Sequence, residues 1–200
     1  MHSLVHRRRM NRNLPNAFAG HPSRVYDLAA RRLLRVVYRR VAADIAAVAP
    51  QGAAVLDVGT GPGVLLVELA ARRPDLRLTG VDLSADMIAA ATRNLTEVAD
   101  RARAHVGDVT SLPFEEQSFD LIVSSISAHH WDDPDAAVPE LARVLRPGGR
   151  VRIYDFPFAP FDQLARAAAA SNVLNGQTPE RSRIRTGIPF LPYIRFVMSA

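Results

Sequence analysis

The sequence contains neither cysteine nor lysine. The absence of cysteine excludes disulfide bonds, catalysis by a thiolate and zinc sites built from cysteine ligands. The absence of lysine excludes the phosphate-binding loop in which a lysine follows the last glycine. All 25 permanently basic residues are therefore arginines, which do not deprotonate at physiological pH. The isoelectric point of about 10.6 follows from this composition.

Long apolar runs are also absent. None approaches the roughly 18 residues that a membrane-spanning helix requires. The first arginines are not followed by an apolar segment and a cleavage site, so we expect no secretory signal and a cytoplasmic protein. The 200 residues, of which 48% are hydrophobic, fit one globular domain with its own core.

The excess positive charge, formally +5, lies largely near the N-terminus. Residues 1–22 are basic and polar, and we interpret them as a tail. Residues 23–50 have an apolar stripe at helical spacing, which predicts a helix that packs on the core and exposes its arginines to solvent. Residues 51–200 then form the main domain. Because a solvated helix face explains the arginines, we do not expect nucleic acid as a partner.

Strands and helices alternate through the main domain. Apolar runs predict strands at 53–58, 76–81, 102–106, 119–124 and 151–156. Strands that are joined through helices pair in parallel by right-handed crossovers. The pattern therefore predicts a doubly wound, mostly parallel α/β sheet with helices on both faces. Residues 175–192 have the composition of a loop, and residues 193–199 predict one more strand.

The segment Val55–Gly63 predicts a strand that turns directly into a helix. Its alternating glycines leave the turn without side chains, so that a ligand can reach backbone amides. Nucleotides, dinucleotides and S-adenosylmethionine all bind at such turns. The G-x-G-x-G spacing departs from the G-x-G-x-x-G of dinucleotide sites, and the carboxylate of Asp57 favours a cationic ammonium over a pyrophosphate. A nicotinamide oxidoreductase is an alternative that both features oppose.

Two further carboxylates follow the next two predicted strands. Asp82 lies near the roughly 20-residue offset at which a carboxylate binds ribose hydroxyls. Leu83 and Met87 can form an apolar wall for an adenine ring. Asp108 can accept a hydrogen bond from the exocyclic amine of adenine, while the backbone amide of Val109 can donate to a ring nitrogen. The carboxyl ends of parallel strands meet at one rim of the sheet, so we expect these groups to lie together.

Five segments together resemble the successive motifs of class I S-adenosylmethionine-dependent methyltransferases. The likeness is strongest to the small-molecule branch that includes ubiquinone and menaquinone biosynthesis enzymes, and it spans residues 53–156. The segments are Val55–Gly63, Val81–Ser84, Gly107–Phe114, Ser118–Ser125 and Leu141–Phe156.

The resemblance implies a seven-stranded, Rossmann-like sheet with S-adenosylmethionine at its carboxyl rim. In the turn, Gly59, Thr60, Gly61 and Gly63 are the cofactor-binding candidates, at the methionine end. The resemblance further implies that Asp82 binds the ribose, that Asp108 and Val109 bind the adenine, and that Ser125 lies by the methionine group.

The sequence departs from the family pattern after the fifth strand. The family's sheet ends with an antiparallel pair, whereas only residues 193–199 are a clear candidate here. We therefore expect an incomplete C-terminal edge. An uncovered edge strand can pair with another chain, which makes a homodimer through that edge a hypothesis.

The methyl acceptor is less well indicated than the cofactor. His129 and His130 follow the fourth strand and are candidates for a general base, although they could equally serve packing and loop hydrogen bonds. The aromatic residues outside the central motifs suggest an aromatic or apolar small-molecule acceptor. They are Tyr26, Phe156, Phe158, Phe161, Phe190 and Tyr193.

Several acceptors are disfavoured by residues that the chain lacks. A cytosine C5 methyltransferase needs a cysteine nucleophile. The Asn-Pro-Pro-aromatic motif of the family's adenine N6 and glutamine enzymes is replaced here by Ser-Ser-Ile-Ser-Ala-His-His from Ser124. The sequence therefore predicts in-line transfer of a methyl group from S-adenosylmethionine to an O, N or C atom of a small organic acceptor, with no metal. The alternatives are a non-catalytic protein that binds S-adenosylmethionine and a nucleic-acid methyltransferase.

Overall fold

A computed structural model describes residues 24–186 and 192–200, with side chains from residue 34 onward. The tail predicted for residues 1–22 lies outside the described residues. The helices are α1 (Arg24–Ala46), α2 (Val64–Arg72), α3 (Ala85–Asn94), α4 (Pro134–Val144) and α5 (Phe161–Ala170). The strands are β1 (Ala54–Val58), β2 (Arg77–Asp82), β3 (Ala102–Val106), β4 (Phe119–Ser125), β5 (Leu145–Asp155), β6 (Glu180–Ile184) and β7 (Tyr193–Ser199). Short 3-10 turns occupy Thr96–Val98 and Ala128–His130.

The strands form one sheet in the order β3-β2-β1-β4-β5-β7-β6. Strands β1 to β5 pair in parallel, and β7 runs antiparallel between β5 and β6. Every residue of β1 is buried, as expected of a central strand covered by helices on both faces. The arrangement confirms the predicted doubly wound α/β sheet. The strand order reverses between β1 and β4, and ligands of such sheets bind at that point.

The predicted incomplete C-terminal edge is wrong, because β6 completes the antiparallel pair. This strand lies inside the segment 175–192 that we interpreted as a loop. Its sequence, Glu-Arg-Ser-Arg-Ile, shows no apolar alternation because β6 is an edge strand whose side chains are exposed or half-buried. The charged residues of β6 are the reason that sequence analysis did not predict this strand. Charged residues of this kind keep an exposed edge strand from pairing with other chains.

Helix α1 packs along the sheet beside α2. Val37, Val41 and Ile45 lie on the predicted apolar stripe and are fully buried. Asp44 adds a polar link, because its carboxylate accepts hydrogen bonds from Tyr154 Oη (2.8 Å) and Arg195 Nη1 (2.8 Å). Asp44 therefore joins α1 to both β5 and β7.

Candidate functional site

A cleft of about 540 Å³ opens at the carboxyl ends of β1, β2 and β3. Its volume lies within the range of small-molecule sites, roughly 300–1,000 Å³. Six of the residues singled out in the sequence line it: Gly59, Asp82, Leu83, Asp108, Val109 and His130. The cleft therefore lies at the rim where the sequence predicts the ligand.

The three glycines of the turn after β1 have a backbone conformation that residues with a side chain rarely adopt. Gly59, Gly61 and Gly63 have φ values of 72°, 53° and 75°, in the left-handed region. Gly59 is also confined by Ser127, whose Oγ would lie 1.7 Å from a Cβ at position 59. A Cβ at position 61 would meet no atom within 4 Å. The turn therefore contacts the segment after β4 at Gly59, whereas the space beside Gly61 holds no neighbouring atoms.

Asp82 links the glycine turn to the start of α3. Its Oδ2 accepts a hydrogen bond from the Gly61 amide at 2.8 Å, and its Oδ1 accepts one from the Ser84 amide at 2.9 Å. Ser84 in turn caps α3 by accepting from the Met87 amide. Each carboxylate oxygen of Asp82 retains a lone pair for a ligand in the cleft.

Asp57 lies behind the turn and does not line the cleft. Its side chain is 1% exposed, and Thr60 Oγ1 donates to its Oδ2 at 2.7 Å. Its Oδ1 is buried and has no hydrogen-bond partner among the described residues. Burial raises the pKa of Asp57 to about 7, although the bond from Thr60 opposes the shift. Thr60 is buried as well, so both side chains support the turn from below.

The third carboxylate, that of Asp108, lines the same cleft as Gly59. Asp108 Oδ1 accepts hydrogen bonds from the backbone amide and the hydroxyl of Thr110, at 2.8 and 2.9 Å. Leu83 also lines the cleft, with 72% of its surface exposed, and gives it an apolar face. Gly61, Gly63 and Met87, also predicted for this site, do not line the cleft.

One wall of the cleft was missed by sequence reasoning. It comes from the segment after β4 and comprises Ser127, Trp131, Asp132, Asp133 and Ala136. Trp131 Nε1 donates to Ser127 Oγ at 3.3 Å, which fixes the indole against the residue that contacts Gly59. The place of this segment in the chain could have predicted the wall. It follows β4, the strand beside β1, and therefore must pass the glycine turn.

The two histidines have different surroundings. His130 lines the cleft, whereas the ring of His129 turns toward β5. The ring centroids are 3.9 Å apart. His129 Nδ1 lies 2.8 Å from Oδ1 of Asp155, a residue that the sequence analysis did not select. Ser125 is buried and its Oγ lies 3.1 Å from Tyr193 Oη, so it does not line the cleft either.

An aromatic surface continues beyond His129. Phe156 and Phe158 stack with ring planes 14° apart, and their centroids lie 5.7 and 5.4 Å from the centroid of His129. Phe158 is 73% exposed. A large exposed aromatic ring offers a flat apolar contact to a ligand.

Comparison with known proteins identifies the domain. Residues 55–149 match the family described as Methyltransferase domain. Residues 55–149 thus form a methyltransferase domain. S-adenosylmethionine is the cofactor of such domains, in agreement with the prediction from the glycine turn and the two carboxylates.

Curated relatives include two quinone-pathway enzymes. A ubiquinone/menaquinone biosynthesis C-methyltransferase of Geotalea daltonii is 35% identical over 122 residues, which are 60% of this chain and 52% of the relative. A demethylmenaquinone methyltransferase of Thermus thermophilus is 34% identical over 139 residues, 68% of this chain and 62% of the relative. The chain thus spans between half and two thirds of the length of these relatives.

A solved structure shares the fold of the methyltransferase domain. The TehB-like S-adenosylmethionine-dependent methyltransferase of Corynebacterium glutamicum superposes with a TM-score of 0.63 at 22% identity. The superposition covers 87% of this chain and 95% of that one. In the described part of the methyltransferase chain, no helix has the length and apolarity to cross a bilayer.

Proposed function

We propose that the protein transfers the methyl group of S-adenosylmethionine to a small organic acceptor. The observation that carries this proposal is the convergence of Gly59, Asp82 and Asp108 on one cleft at the reversal point of the sheet. Each comes from a different strand end, and together they match the methionine, ribose and adenine parts of one ligand. The bound cofactor would supply an electrophilic methyl group on a sulfonium.

The residues of the cleft fit this cofactor. Gly59 lines the cleft, so its backbone would lie beside the methionine end. Asp82 would accept from the ribose hydroxyls while its bonds to the Gly61 and Ser84 amides hold it in place. Leu83, Asp108 and the Val109 backbone would enclose the adenine.

We assign Asp57 and Thr60 a supporting role in place of the direct or water-mediated ammonium contact suggested by the sequence. The hydrogen bond between them lies beneath the turn, and neither residue reaches the cleft. A fixed turn presents its amides without reorganisation when the ligand arrives. The ammonium of the cofactor would then be bound at the surface of the turn.

The remaining task of the protein is to place an acceptor behind the methyl group and exclude water. Positioning alone can supply about 7–11 kcal/mol in well-oriented intramolecular reactions. His130 lines the cleft and can receive a proton from an acceptor that must lose one, and the centroid of the His129 ring lies 3.9 Å from that of His130.

The acceptor that best fits the wall is small and flat or apolar. Trp131 contributes a ring to the cleft wall, and outside the cleft Phe156, Phe158 and the His129 ring form a continuous aromatic surface. The exposed carboxylates Asp132 and Asp133 line the cleft and would repel phosphate groups, which disfavours nucleic acid. The curated relatives named for quinone biosynthesis agree with a ring-shaped acceptor. The incomplete sheet edge that motivated a non-catalytic protein and a homodimer is not present in the described residues.

Isothermal titration calorimetry would test the cofactor assignment. We expect S-adenosylhomocysteine to bind and NAD to show no heat. The same protein, incubated with methyl-labelled S-adenosylmethionine and fractions of a cell extract, should label a low-molecular-weight compound. Binding of NAD without S-adenosylhomocysteine would refute the proposal. Label that appears only in RNA or DNA would move the acceptor to nucleic acid.

A further inference from the structure

A second cavity, of about 340 Å³, lies beside β6 and β7. The described residues that line it are Pro157, Arg181, Ser182, Arg183 and Ile194, and none of them lines the cleft. These residues include two arginines and no carboxylate, whereas four aspartates line the cleft. The cavity and the cleft therefore have opposite charge and suit different chemical groups.

The cavity lies at the same rim of the sheet as the cleft. Asp155, the last residue of β5, pairs with Ile194 on β7, and Ile194 pairs with Arg183 on β6. Adjacent strands are about 4.8 Å apart, so the backbone of Arg183 lies roughly 10 Å from the carboxyl end of β5. Directly paired residues point to the same face of a sheet, and Ile194 packs in the core cluster that includes residues of α5. Arg183 therefore points to the α5 face of this rim.

The two arginines of the cavity have different surroundings. Arg181 Nη2 donates to the Pro157 carbonyl at 3.2 Å, and its Nη1 lies 3.3 Å from Asp162 Oδ1. Its guanidinium also lies over the Phe161 ring, 4.8 Å from the centroid. Arg183 is exposed and makes no ion pair and no side-chain hydrogen bond with any residue that the structure describes. Arg181 thus holds the segment after β5, while the donors of Arg183 are available to a ligand.

A run of aromatic contacts connects the cleft to the cavity. His130 lines the cleft, and its ring touches the ring of His129. The ring of His129 in turn lies next to the exposed ring of Phe158. Pro157, which directly precedes Phe158, lines the cavity. Along this run of contacts, the exposed Phe158 ring lies between the cleft and Arg183.

We propose that the methyl acceptor carries a carboxylate and that Arg183 binds this group in the second cavity. The proposal rests on the methyl-transfer function and deepens it, because it adds one charged group to a flat or apolar acceptor. A guanidinium presents parallel N–H donors that match both oxygens of a carboxylate. Pro157 and Ile194 supply apolar contacts for the carbon skeleton beside that group. The four aspartates of the cleft would repel the carboxylate, which disfavours binding of the acceptor in the reverse orientation.

The affinities of 2-naphthoate and its neutral analogue 2-naphthamide test the cavity without any turnover. With S-adenosylhomocysteine present, we expect calorimetry to show that naphthoate binds about 10-fold more tightly than naphthamide. Arg183→Gln should remove this difference by weakening naphthoate alone. Arg166→Gln removes an exposed arginine of α5 outside the cavity, and as the matched control it should leave both affinities within about twofold. Equal affinities of the two probes in the unmodified protein, or equal losses in the two variants, overturn the proposal.

Nitrogen-15 NMR of the backbone amides locates the bound probe. Titration with 2-naphthoate should shift the signals of Ser182, Arg183 and Ile194. The spectrum of Arg183→Gln without the probe should differ from that of the unmodified protein only near β6, which shows that the variant is folded. Shifts confined to residues of the cleft overturn the proposal.

Transfer of labelled methyl connects the cavity to the reaction. The compound that is labelled in a fraction of cell extract should be retained by an anion exchanger at pH 8. Arg183→Gln should raise the amount of this fraction needed for half-maximal rate about 10-fold and leave the maximal rate unchanged, because Arg183 binds a part of the acceptor that does not react. A labelled compound that passes through the exchanger, or a loss confined to the maximal rate, overturns the carboxylate.

Failure of the proposed function would look different. In that case S-adenosylhomocysteine would not bind and no label would be transferred, even if Arg183→Gln weakens naphthoate; the cavity would then be a carboxylate site without a methyl acceptor, which overturns the proposal as stated. If S-adenosylhomocysteine binds but naphthoate and naphthamide bind equally, the carboxylate is overturned while the methyltransferase function is upheld.

Discussion

Ser127 Oγ occupies the space that a side chain at position 59 would need, since a Cβ on Gly59 would lie 1.7 Å from it. The turn after β1 and the segment after β4 are therefore in direct contact across the reversal point of the sheet. A φ of 72° at Gly59 adds a second reason for glycine. Mutations can separate the effect of the contact with Ser127 from the effect of the positive φ.

Gly59→Ala should destabilise the protein by at least about 2 kcal/mol, because the new methyl group displaces the Ser127 segment in addition to the backbone strain. Urea unfolding would measure the change. Gly61→Ala is the matched control, since it has a similar φ of 53° but no neighbour within 4 Å. It should cost only about 1 kcal/mol. Adding Ser127→Gly should recover part of the loss in Gly59→Ala and none in Gly61→Ala.

Asp82→Ala should weaken binding of S-adenosylhomocysteine about 10- to 100-fold. The substitution removes the proposed ribose contact and also the acceptor of the Gly61 and Ser84 amides, and hydrogen bonds to charged groups contribute about 1.5–3 kcal/mol each. Calorimetry would measure the affinity. Asp86→Ala, which alters an exposed carboxylate in the first turn of α3, should leave the affinity within about twofold. Equal affinities of Asp82→Ala and the unmodified protein would show that the ribose binds elsewhere.

The raised pKa of Asp57 predicts a specific dependence of stability on pH. In the folded protein the carboxyl holds its proton up to about pH 7, whereas in the unfolded chain it releases the proton near its ordinary value of 3.8. Between these values the folded state binds more protons than the unfolded state, so stability falls as pH rises and levels off above pH 7.

Asp57→Asn should remove this dependence while keeping an acceptor for the Thr60 hydroxyl. We expect the free energy of unfolding of the variant, relative to the unmodified protein, to be higher at pH 8 than at pH 5 by about 1–3 kcal/mol. The comparison cancels the opposite effect of Asp75, Asp120 and Glu140, whose pKa values are lowered by their arginine and backbone partners. A difference that is flat across this range would show that Asp57 is ionised in the folded protein.

Asp44→Ala should destabilise the fold by about 1–3 kcal/mol, because it leaves Arg152 without its carboxylate partner. Arg152 is only 8% exposed in its side chain, and its Nε already lacks a hydrogen bond among the described residues. Removing one partner of a buried ion pair is costly because the other charge stays buried. Thermal unfolding would measure the loss. Asp100→Ala, which breaks the exposed pair with Arg101, should change stability by less than about 0.5 kcal/mol.

Much of the cofactor side could be predicted from the sequence because it is encoded locally. The glycines that follow β1 and the carboxylate that ends β2 lie next to strong strand signals, and parallel pairing brings strand ends to one rim. The sequence suggested that Asp57 contacts the cofactor ammonium, whereas the structure buries its carboxylate beside Thr60. The sequence shows that Asp57 precedes the turn, but it does not show on which side of the turn the carboxylate is buried.

The acceptor side could not be predicted to the same degree because its contacts join distant parts of the chain. The hydrogen bond between His129 and Asp155 links residues 26 positions apart, and no local pattern marks the aspartate. The edge strand β6 escaped detection for a different reason. β6 is stabilised by its pairing with β7, which a local sequence pattern does not show. Its own residues are mostly polar because they are exposed to solvent.

The order of strands has a consequence for how such a protein can change. Strands β1 to β3 come first in the chain and fill one half of the sheet, while β4 to β7 come later and fill the other. A single recombination point between Val109 and β4, within residues 110–118, would exchange β4 to β7 and retain the strand ends that carry Gly59, Asp82 and Asp108. Chimeras of that design would combine these strand ends with a new cleft wall and a new acceptor surface, provided that a small residue faces Gly59 in the new half.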